Sequence, residues 1–396
     1  MKKFLGIVVL GLLLSSNAFA ESEKCKSLPK YSNLWYYNKC DEQKSLKSKK
    51  VKTWKNRQIP EEYHNPNLET LRYHFLSYNK RGERDKKFYT KPSSQPTALK
   101  FNLQKEPKII KKISKKMQST GLISYLMYED GEIVIDQLSP PERFGDLIDN
   151  DTMIYSMSLG KSLGGYLMGH AICKGYINSL SSTFADWPIV KGTLLETATV
   201  QDLINASTGD QKYIWNNQLD SGRDIGDLTI ASITKKELAN TKPGKKRFNY
   251  SQFSPNVALN YISFKTGHKF NSFINDVLKD HVGLAAKLRF NGSGVESKGV
   301  IQSNFKATRY DTLRIGIAIL NDWNSDTCIG NYLKDVYANR VNKGYNQGDG
   351  YSKSYAGFFH TNYPGISDTV MGMDGYGGIA LLINFDDNRI VYTHAV

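Results

Sequence analysis

The sequence predicts an α+β protein, arranged as an α/β sandwich in which a mostly antiparallel sheet from both chain ends is flanked by helices. Two observations predict it: a hairpin pattern at residues 121–137, which follows an amphipathic helix, and a second hairpin pattern at residues 377–395. Most segments between the hairpins have helical patterns, so we expect helices packed on the sheet and an additional helical subdomain.

Residues 1–20 have the pattern of a cleavable signal peptide. Two lysines precede an apolar run at residues 4–14, and the small residues of "SSNAFA" suit cleavage before Glu21. The apolar run is too short to predict a membrane span. We therefore expect a periplasmic or secreted protein.

Residues 21–106 are predicted to form a basic N-terminal extension. Residues 21–120 contain 25 Lys and Arg against 10 Asp and Glu, whereas residues 121–396 contain 26 against 28. Two interpretations fit: electrostatic contact with anionic envelope polymers or lipid head groups, or a solvated lysine-rich surface. No nucleic acid partner is expected, because export separates the chain from nucleic acid and no recognised binding motif is present.

The cysteines suit an exported protein. Cys25 and Cys40 flank an aromatic, turn-like segment, which favours a local disulfide that closes this loop. Cys173 lies in an apolar helical pattern, and both a buried thiol and a bridge to Cys328 fit the sequence. No CxxC pair or close histidine cluster accompanies the cysteines, so neither a metal ion nor an organic cofactor is expected.

The main folded domain is predicted at residues 107–396. Its first segment, "PKIIKKISKKMQS", places apolar residues on one helix face, and Asp130-Gly131 is a common hairpin turn pair. At the C-terminal end a turn at residues 386–388 separates two apolar strands. Four further helical patterns cover residues 199–206, 254–266, 270–280 and 307–321.

Ser158 and Lys161 form a Ser-x-x-Lys pair in the segment "YSMSLGKSLGGYLMGHA". The same spacing occurs at four other serines: Ser27, Ser77, Ser232 and Ser303. Only residues 157–175 are apolar around most of a helix circumference with no other charge before Lys174, which predicts a buried helix. A desolvated amine tends to lose its proton and can then accept the proton of a serine one turn away. A lysine that reaches solvent from the helix end is the structural alternative.

Tyr250 is a further candidate for proton transfer. It follows a turn at Pro243-Gly244 and a short extended piece, and it precedes the helical pattern at residues 254–266. A tyrosine hydroxyl beside a serine and a lysine can relay a proton to a leaving group. Because the chain has 24 tyrosines, Tyr250 alone is a weak signal.

Taken together, these segments resemble the serine beta-lactamase and penicillin-binding-protein superfamily, particularly its class C, esterase and 6-aminohexanoate-dimer hydrolase branch, over residues 107–396. "SMSLGKSLGGYLMGHA" looks like the nucleophile helix, and "ATVQDLINASTGD" is similar to the TVxDLLxxTSG segment. "PGKKRFNYSQFSPNVALNYISFKTG" and "MDGYGGIALLINFDDNRIV" resemble the PGxxFxYSN segment and the terminal GxGGQ strand. The resemblance implies a beta-lactamase/transpeptidase-like fold.

The resemblance also implies a catalytic site and a reaction. Ser158 would be the acylated nucleophile, Lys161 its activator, and Tyr250 the general acid and base. The backbone amides of Ser158 and Tyr376 would form the oxyanion hole. The implied activity is cleavage of a small-molecule ester or amide through an acyl-enzyme.

Three departures from the family pattern concern substrate binding. Gln252 replaces the asparagine of Tyr-x-Asn, so its amide reaches one methylene further. Met373, Asp374 and Gly375 align with the Lys-Thr-Gly triplet, which removes the cation that would hold a substrate carboxylate; Gly378 replaces a glutamine. General ester or amide hydrolysis is therefore favoured over beta-lactam hydrolysis and D,D-peptidase activity.

Two alternatives differ from this assignment. An α/β-hydrolase would use "SMSLG" as a nucleophile elbow with His394 and either Asp368 or Asp374, but that fold needs several strand–helix units before the nucleophile. A non-catalytic relative would bind an envelope ligand such as peptidoglycan, with the altered triplet marking lost turnover.

Four residues in segments where the family has pocket walls are candidates either for substrate contact or for ordinary packing: Trp215, Phe359, Tyr376 and, as a weaker candidate, His360.

Overall fold

We describe the protein from a computed structural model. The described residues are 71–72, 75–76, 88–144, 147–209, 242–293, 300–344 and 352–395. The predicted signal peptide, the Cys25–Cys40 loop, most of the basic extension and Trp215 lie outside these residues. Within the described part of the chain, no helix combines the length and the apolar character that crossing a membrane requires.

Eight α-helices are described. They are α1 (Pro107–Ser119), α2 (Pro141–Phe144), α3 (Leu159–Cys173), α4 (Val200–Ile204), α5 (Phe253–Lys265), α6 (Phe270–Ile274), α7 (Arg309–Trp323) and α8 (Cys328–Ala338). A 3-10 turn spans Pro188–Val190, and a π-helix, Asn275–His281, continues directly from α6. The helical pattern at residues 270–280 thus divides into two geometries, and Val277 and Leu278 of the π-helix are buried in the core.

Eleven strands are described. They are β1 (Leu122–Glu129), β2 (Glu132–Leu138), β3 (Ile154–Tyr155), β4 (Arg289–Ser293), β5 (Val300–Ala307), β6 (Val341–Asn342), β7 (Ser354–Ala356), β8 (Phe359–Thr361), β9 (Val370–Gly375), β10 (Ile379–Asn384) and β11 (Arg389–Ala395). Eight of them form a sheet in the order β2-β1-β11-β10-β9-β8-β7-β6, and β3-β5-β4 form a second sheet.

The large sheet joins the two chain ends, as the sequence predicts. Strand β1 pairs antiparallel with β11, and both predicted hairpins, β1–β2 and β10–β11, are present. Asp130 and Gly131 have φ values of 49° and 93°, the left-handed conformation that a tight hairpin turn requires. The α+β fold class is confirmed, and the antiparallel sheet shows that the α/β-hydrolase alternative is wrong.

Helix α3 crosses the centre of the domain and is buried on all sides. Its residues 159–171 are all buried, as the apolar circumference of the segment predicts. Two of its glycines allow close contact: a Cβ on Gly165 would lie 1.9 Å from the carbonyl oxygen of Gly357, and one on Gly169 would lie 2.4 Å from the ring of Tyr332. The helix is therefore fixed against the end of β7 on one side and α8 on another.

A disulfide connects the C-terminal end of α3 to the start of α8. Cys173 and Cys328 are bonded at a sequence separation of 155, which settles the alternative that the sequence left open. A cross-link over so long a loop restricts the unfolded chain strongly and stabilises a domain by about 2–4 kcal/mol.

Residues 88–102 run along the surface of the domain. Thr90 donates its backbone amide to Leu288, and the amide of Ile133 donates to the carbonyl of Lys100. These contacts attach the segment before α1 to both sheets. The domain boundary at residue 107 stays a prediction.

His394, the histidine of the rejected α/β-hydrolase alternative, has a different place. It lies on β11, is buried, and packs against Phe75 with 5.8 Å between ring centroids. Burial lowers its pKa to about 4. The neutral imidazole is therefore part of the packed core.

We expect His394 to make the protein less stable as the pH falls from 6.5 towards 4. The unfolded chain, with an ordinary histidine pKa near 6.5, takes up a proton in this range while the folded chain does not, so the folded state loses about 2 kcal/mol between pH 7 and pH 5. Urea unfolding at both pH values should show that His394→Gln loses less free energy of unfolding than wild type between them, and that the difference equals this amount. His268→Asn, at an exposed position, should retain the wild-type difference; equal losses in all three proteins would contradict this origin.

Candidate active site

Ser158 lies at the junction between β3 and α3. It immediately precedes the helix and is partly exposed, whereas the neighbouring helix residues are buried. Met157, the residue before it, has φ 48°, a left-handed conformation that costs a non-glycine residue free energy. The strained turn directs the serine out of the core at the N-terminal end of the helix.

Strand β5 holds this strained turn in place. The carbonyl oxygen of Met157 accepts from the side-chain amide of Asn304 at 2.7 Å and from the hydroxyl of Ser156 at 3.2 Å. Ser156 in turn exchanges two hydrogen bonds with the backbone of Phe305, at 2.8 Å and 2.9 Å. The surrounding contacts therefore over-determine the conformation on which the position of Ser158 depends.

Lys161 projects from the first turn of α3 towards Ser158. Its Nζ donates to Ser158 Oγ at 2.6 Å, and the residue is 1% exposed. The same Nζ lies 4.6 Å from the centroid of the Tyr250 ring. The structure thus brings Ser158, Lys161 and Tyr250 together and does not place the amine in solvent.

Tyr250 is positioned by the loop before α5 and by the first turn of that helix. The amide of Asn249 donates to the carbonyl of Ala206 at 2.7 Å, and Ser251 Oγ accepts from the amide of Phe253 at 2.9 Å. Gln252 is half-buried at the N-cap of α5, two residues beyond Tyr250. Its predicted contact with substrate stays a prediction.

The end of β9 lies against the turn that carries Ser158. A Cβ on Gly375 would be 2.9 Å from the Ser156 carbonyl oxygen and 3.0 Å from Met157 Cβ, so only glycine fits between strand and turn. The next residue, Tyr376, is 56% exposed. This places the strand end beside Ser158, where the resemblance implies the second oxyanion amide.

The other predicted residues near this edge differ in exposure. Met373 is fully buried, and Phe359 is 1% exposed, so packing accounts for Phe359. Gly378 lies in the β9–β10 turn with φ 81°. A glutamine at this position would have to adopt a positive φ, which residues other than glycine rarely do.

A buried polar group beside Tyr250, which we name the Lys343 cluster, escaped prediction. It consists of Lys343, Ser352, His360 and Asp374. Lys343 Nζ contacts Ser352 Oγ and lies 2.7 Å from His360 Nδ1, and Asp374 Oδ2 lies 3.8 Å from that nitrogen. The His360 and Tyr250 ring centroids are 6.4 Å apart. Only His360 and Asp374 carried a sequence signal, because Lys343 and Ser352 lie in a segment that matches no motif.

The Lys343 cluster contains its own charge compensation. Lys343 Nζ and His360 Nδ1 lie within hydrogen-bonding distance of each other, and both also lie within hydrogen-bonding distance of Ser352 Oγ. Asp374 accepts from the Tyr363 hydroxyl at 3.0 Å, and its side chain is 26% exposed. The only group of the cluster that reaches solvent appreciably is therefore an acidic one, since Lys343 and His360 are buried.

Comparison with solved structures shows the fold independently. A Bacillus anthracis protein described as a 6-aminohexanoate-dimer hydrolase matches with a TM-score of 0.61 and 18% identity, over 82% of this chain and 88% of that one. A Bacteroides dorei protein described as a beta-lactamase gives 0.56 and 15%, over 73% and 90%. A penicillin-binding protein from Bacillus halodurans gives 0.52 and 15%, over 72% and 94%.

These likenesses confirm the beta-lactamase/transpeptidase-like fold that the resemblance implies. No protein-family model and no curated protein sequence matches the chain. The identities are low, so the likeness carries the fold and not the activity.

Two glycines of α3 offer a matched test of how far the site depends on helix placement. A Cβ on Gly160 would lie 2.1 Å from the Ser303 carbonyl oxygen, whereas one on Gly164 would make an ordinary 3.7 Å contact with Leu259. We expect Gly160→Ala to move α3 away from β5 and to lower the free energy of unfolding by about 1–3 kcal/mol. The rate at which an active-site probe labels Ser158 should fall by about 100-fold.

Gly164→Ala should retain labelling and stabilise the helix by up to about 1 kcal/mol. Chemical denaturation and labelling rates measure both quantities. Equal labelling of the two variants would show that the contact with β5 does not position Ser158.

Proposed function

We propose that this protein is an exported serine hydrolase that cleaves an ester or amide bond through an acyl-enzyme on Ser158. The observation that carries the proposal is the 2.6 Å contact between Ser158 Oγ and Nζ of the buried Lys161, beside the Tyr250 ring. A buried amine next to a partly exposed serine is the arrangement that nucleophile activation needs.

In acylation, Ser158 Oγ attacks the carbonyl carbon as its proton passes to the uncharged amine of Lys161. The oxyanion accepts hydrogen bonds from the amides of Ser158 and Tyr376, and the N-terminal end of α3 adds a favourable dipole. Tyr250 passes the proton to the departing oxygen or nitrogen. In deacylation the same groups work in reverse: water loses a proton, attacks the ester, and Ser158 regains its hydrogen.

Each group supplies part of the rate enhancement. A single oxyanion donor contributes about 3–4 kcal/mol of transition-state stabilisation, and general acid–base catalysis contributes about 10²–10⁴-fold in rate. Since α3 carries no acidic side chain in its first turn, nothing on the helix opposes negative charge near Ser158. The amide of Ser158 lies at the N-terminal end of this helix, where backbone donors have no intrahelical partner.

The charges near β9 favour a substrate without a carboxylate at this position. Met373 is buried in the place of the family's lysine, and Lys343 is directed to Ser352 and His360. Asp374 is partly exposed and would repel an anion. These features support a neutral or cationic ester or amide over a beta-lactam or a D-alanyl peptide.

A non-catalytic protein that binds an envelope ligand is the second candidate. The altered triplet at residues 373–375 favours it, whereas the close approach of Ser158 and Lys161 opposes it. For either function, we propose a periplasmic or secreted location on the basis of residues 1–20. Contact of the basic N-terminal part with envelope polymers or lipids is part of the same proposal.

Covalent labelling tests the acyl-enzyme. We expect a fluorophosphonate to label the folded protein at Ser158, Ser158→Ala to abolish labelling, and Lys161→Met and Tyr250→Phe to slow it by about 10²–10⁴-fold. Intact-mass spectrometry and peptide mapping give the site and the rate, and circular dichroism verifies folding.

The chain provides a control with the same motif. Ser303 and Lys306 have Ser-x-x-Lys spacing on β5, where side chains three residues apart point to opposite faces of the strand. Ser303→Ala and Lys306→Met should label at the wild-type rate. A folded wild-type protein that reacts with no fluorophosphonate would favour the binding function.

A second experiment tests the substrate charge. Three p-nitrophenyl esters of equal chain length, with an acyl chain ending in a quaternary ammonium, a methyl or a carboxylate group, should be hydrolysed with kcat/KM decreasing in that order. Asp374→Asn keeps a hydrogen-bond acceptor for the Tyr363 hydroxyl. It should lower the ratio of kcat/KM for the ammonium ester to kcat/KM for the carboxylate ester by about tenfold. Asp335→Asn, at an exposed position on α8, should leave the ratio unchanged; a preference for the carboxylate ester in wild type would refute the assigned charge preference.

A further inference from the structure

A second polar cluster lies at the other end of α3 from Ser158. It consists of His170 on α3, His281 at the last residue of the π-helix and Asp322 on α7, and we name it the His170 cluster. Twelve residues separate Ser158 and His170, which corresponds to roughly 18 Å along the helix. The cluster is therefore distinct from the candidate active site.

The three side chains converge although they are far apart in sequence. One ligand atom from each lies within 4.8 Å of the others. His281 Nε2 lies 3.1 Å from both carboxylate oxygens of Asp322, and the His170 and His281 ring centroids are 4.9 Å apart. Two imidazoles and one carboxylate are the donor set of many sites for divalent transition metals.

The Nε2 atom of His170 is positioned to act as a metal ligand. It is 6% exposed, and its buried Nε2 has no hydrogen-bond partner among the described residues. Burial, with a smaller contribution from His281, lowers its pKa to about 3. Metal binding needs the lone pair of a ring nitrogen, and the buried Nε2 without a hydrogen-bond partner can supply one.

Surrounding groups orient the three side chains. Asp322 is buried and accepts from the Tyr166 hydroxyl, and the Tyr166 ring packs edge-on against His170 at 4.6 Å between centroids. Burial and the carboxylate raise the pKa of Tyr166 well above its ordinary value, so Tyr166 remains a donor to Asp322. The nearby Cys173–Cys328 disulfide joins the helix of His170 to the segment that follows Asp322. Such outer contacts hold ligands in metal sites.

The cluster is also accessible from solvent. The His281 side chain is 42% exposed, so an ion can enter where this ring lies. Lys174, the C-cap residue of α3, has its Nζ 4.0 Å from Asp276 Oδ2. A ring that is partly in solvent can move the short distance needed to bring the ligand atoms from 4.8 Å to the spacing of about 3.5 Å that a tetrahedral ion imposes.

We propose that His170, His281 and Asp322 bind one divalent transition-metal ion of the Zn²⁺ class, with water as the fourth ligand. The ion replaces the direct contact between His281 Nε2 and the Asp322 carboxylate and joins α3, the π-helix and α7 at the end of the domain away from Ser158. Binding to the folded chain alone stabilises it in proportion to the logarithm of metal concentration. This site is independent of the proposed hydrolase activity.

Metal titration of the tag-free, chelator-treated full chain tests the proposal. We expect one equivalent of Zn²⁺ to be bound in competition with a chromophoric chelator, and Co²⁺ to give the visible absorption of a low-coordinate site. Asp322→Asn retains an acceptor for Tyr166, and His281→Asn changes a partly exposed ring, so both variants should fold. Each should bind Zn²⁺ about 100-fold more weakly or worse, and neither should gain thermal stability from the metal.

His268→Asn is the matched control, because His268 is an exposed histidine with φ 61°, a conformation that asparagine accepts. It should bind Zn²⁺ as wild type does. Absence of one-to-one binding in wild type, or equal affinity in His281→Asn and wild type, would overturn the proposal and leave an ion pair between His281 and Asp322.

Discussion

The burial of one amine against one hydroxyl is the constraint on which the rest of the site depends. Lys161 is 1% exposed, and its Nζ has Ser158 Oγ at 2.6 Å and the Tyr250 ring at 4.6 Å. An amine removed from water favours its uncharged form unless partners compensate the lost hydration. The apolar helix around Lys161 therefore provides both the structural core and the chemical environment of the serine.

Excluding water from the Lys161 amine requires close packing on every side of α3, and this requirement accounts for contacts made by both sheets. The small sheet supplies the Ser303 carbonyl against Gly160 and the Asn304 amide that fixes the strained Met157. The large sheet supplies Gly375 against the same turn. Two sheets thus meet at one residue, and a left-handed φ at Met157 persists because its neighbours leave no relaxed alternative.

Sequence patterns predicted the parts of the fold that depend on local periodicity. The apolar circumference of α3, the Asp130-Gly131 turn and the amphipathic α1 each follow from residues that are neighbours in the chain. Five Ser-x-x-Lys pairs shared one spacing, and only helical context distinguished Ser158. Contacts between segments that are apart in the chain left no such pattern. The four residues of the Lys343 cluster are spread over positions 343 to 374. The residues of the His170 cluster are separated by 111 and 41 positions.

The position of positive charge separates this site from the pattern it resembles. In that pattern a lysine on the strand beside the serine reaches the substrate, whereas here Met373 occupies the position and is fully buried. Lys343, which follows β6, belongs to the cluster beside Tyr250, and its contacts with Ser352 and His360 hold it below the surface. A charge in this location acts on the protein's own groups through a low-dielectric interior. The fold thus has a buried methionine at the strand position of the triplet's lysine, and a lysine from elsewhere in the chain lies in the buried cluster beside Tyr250.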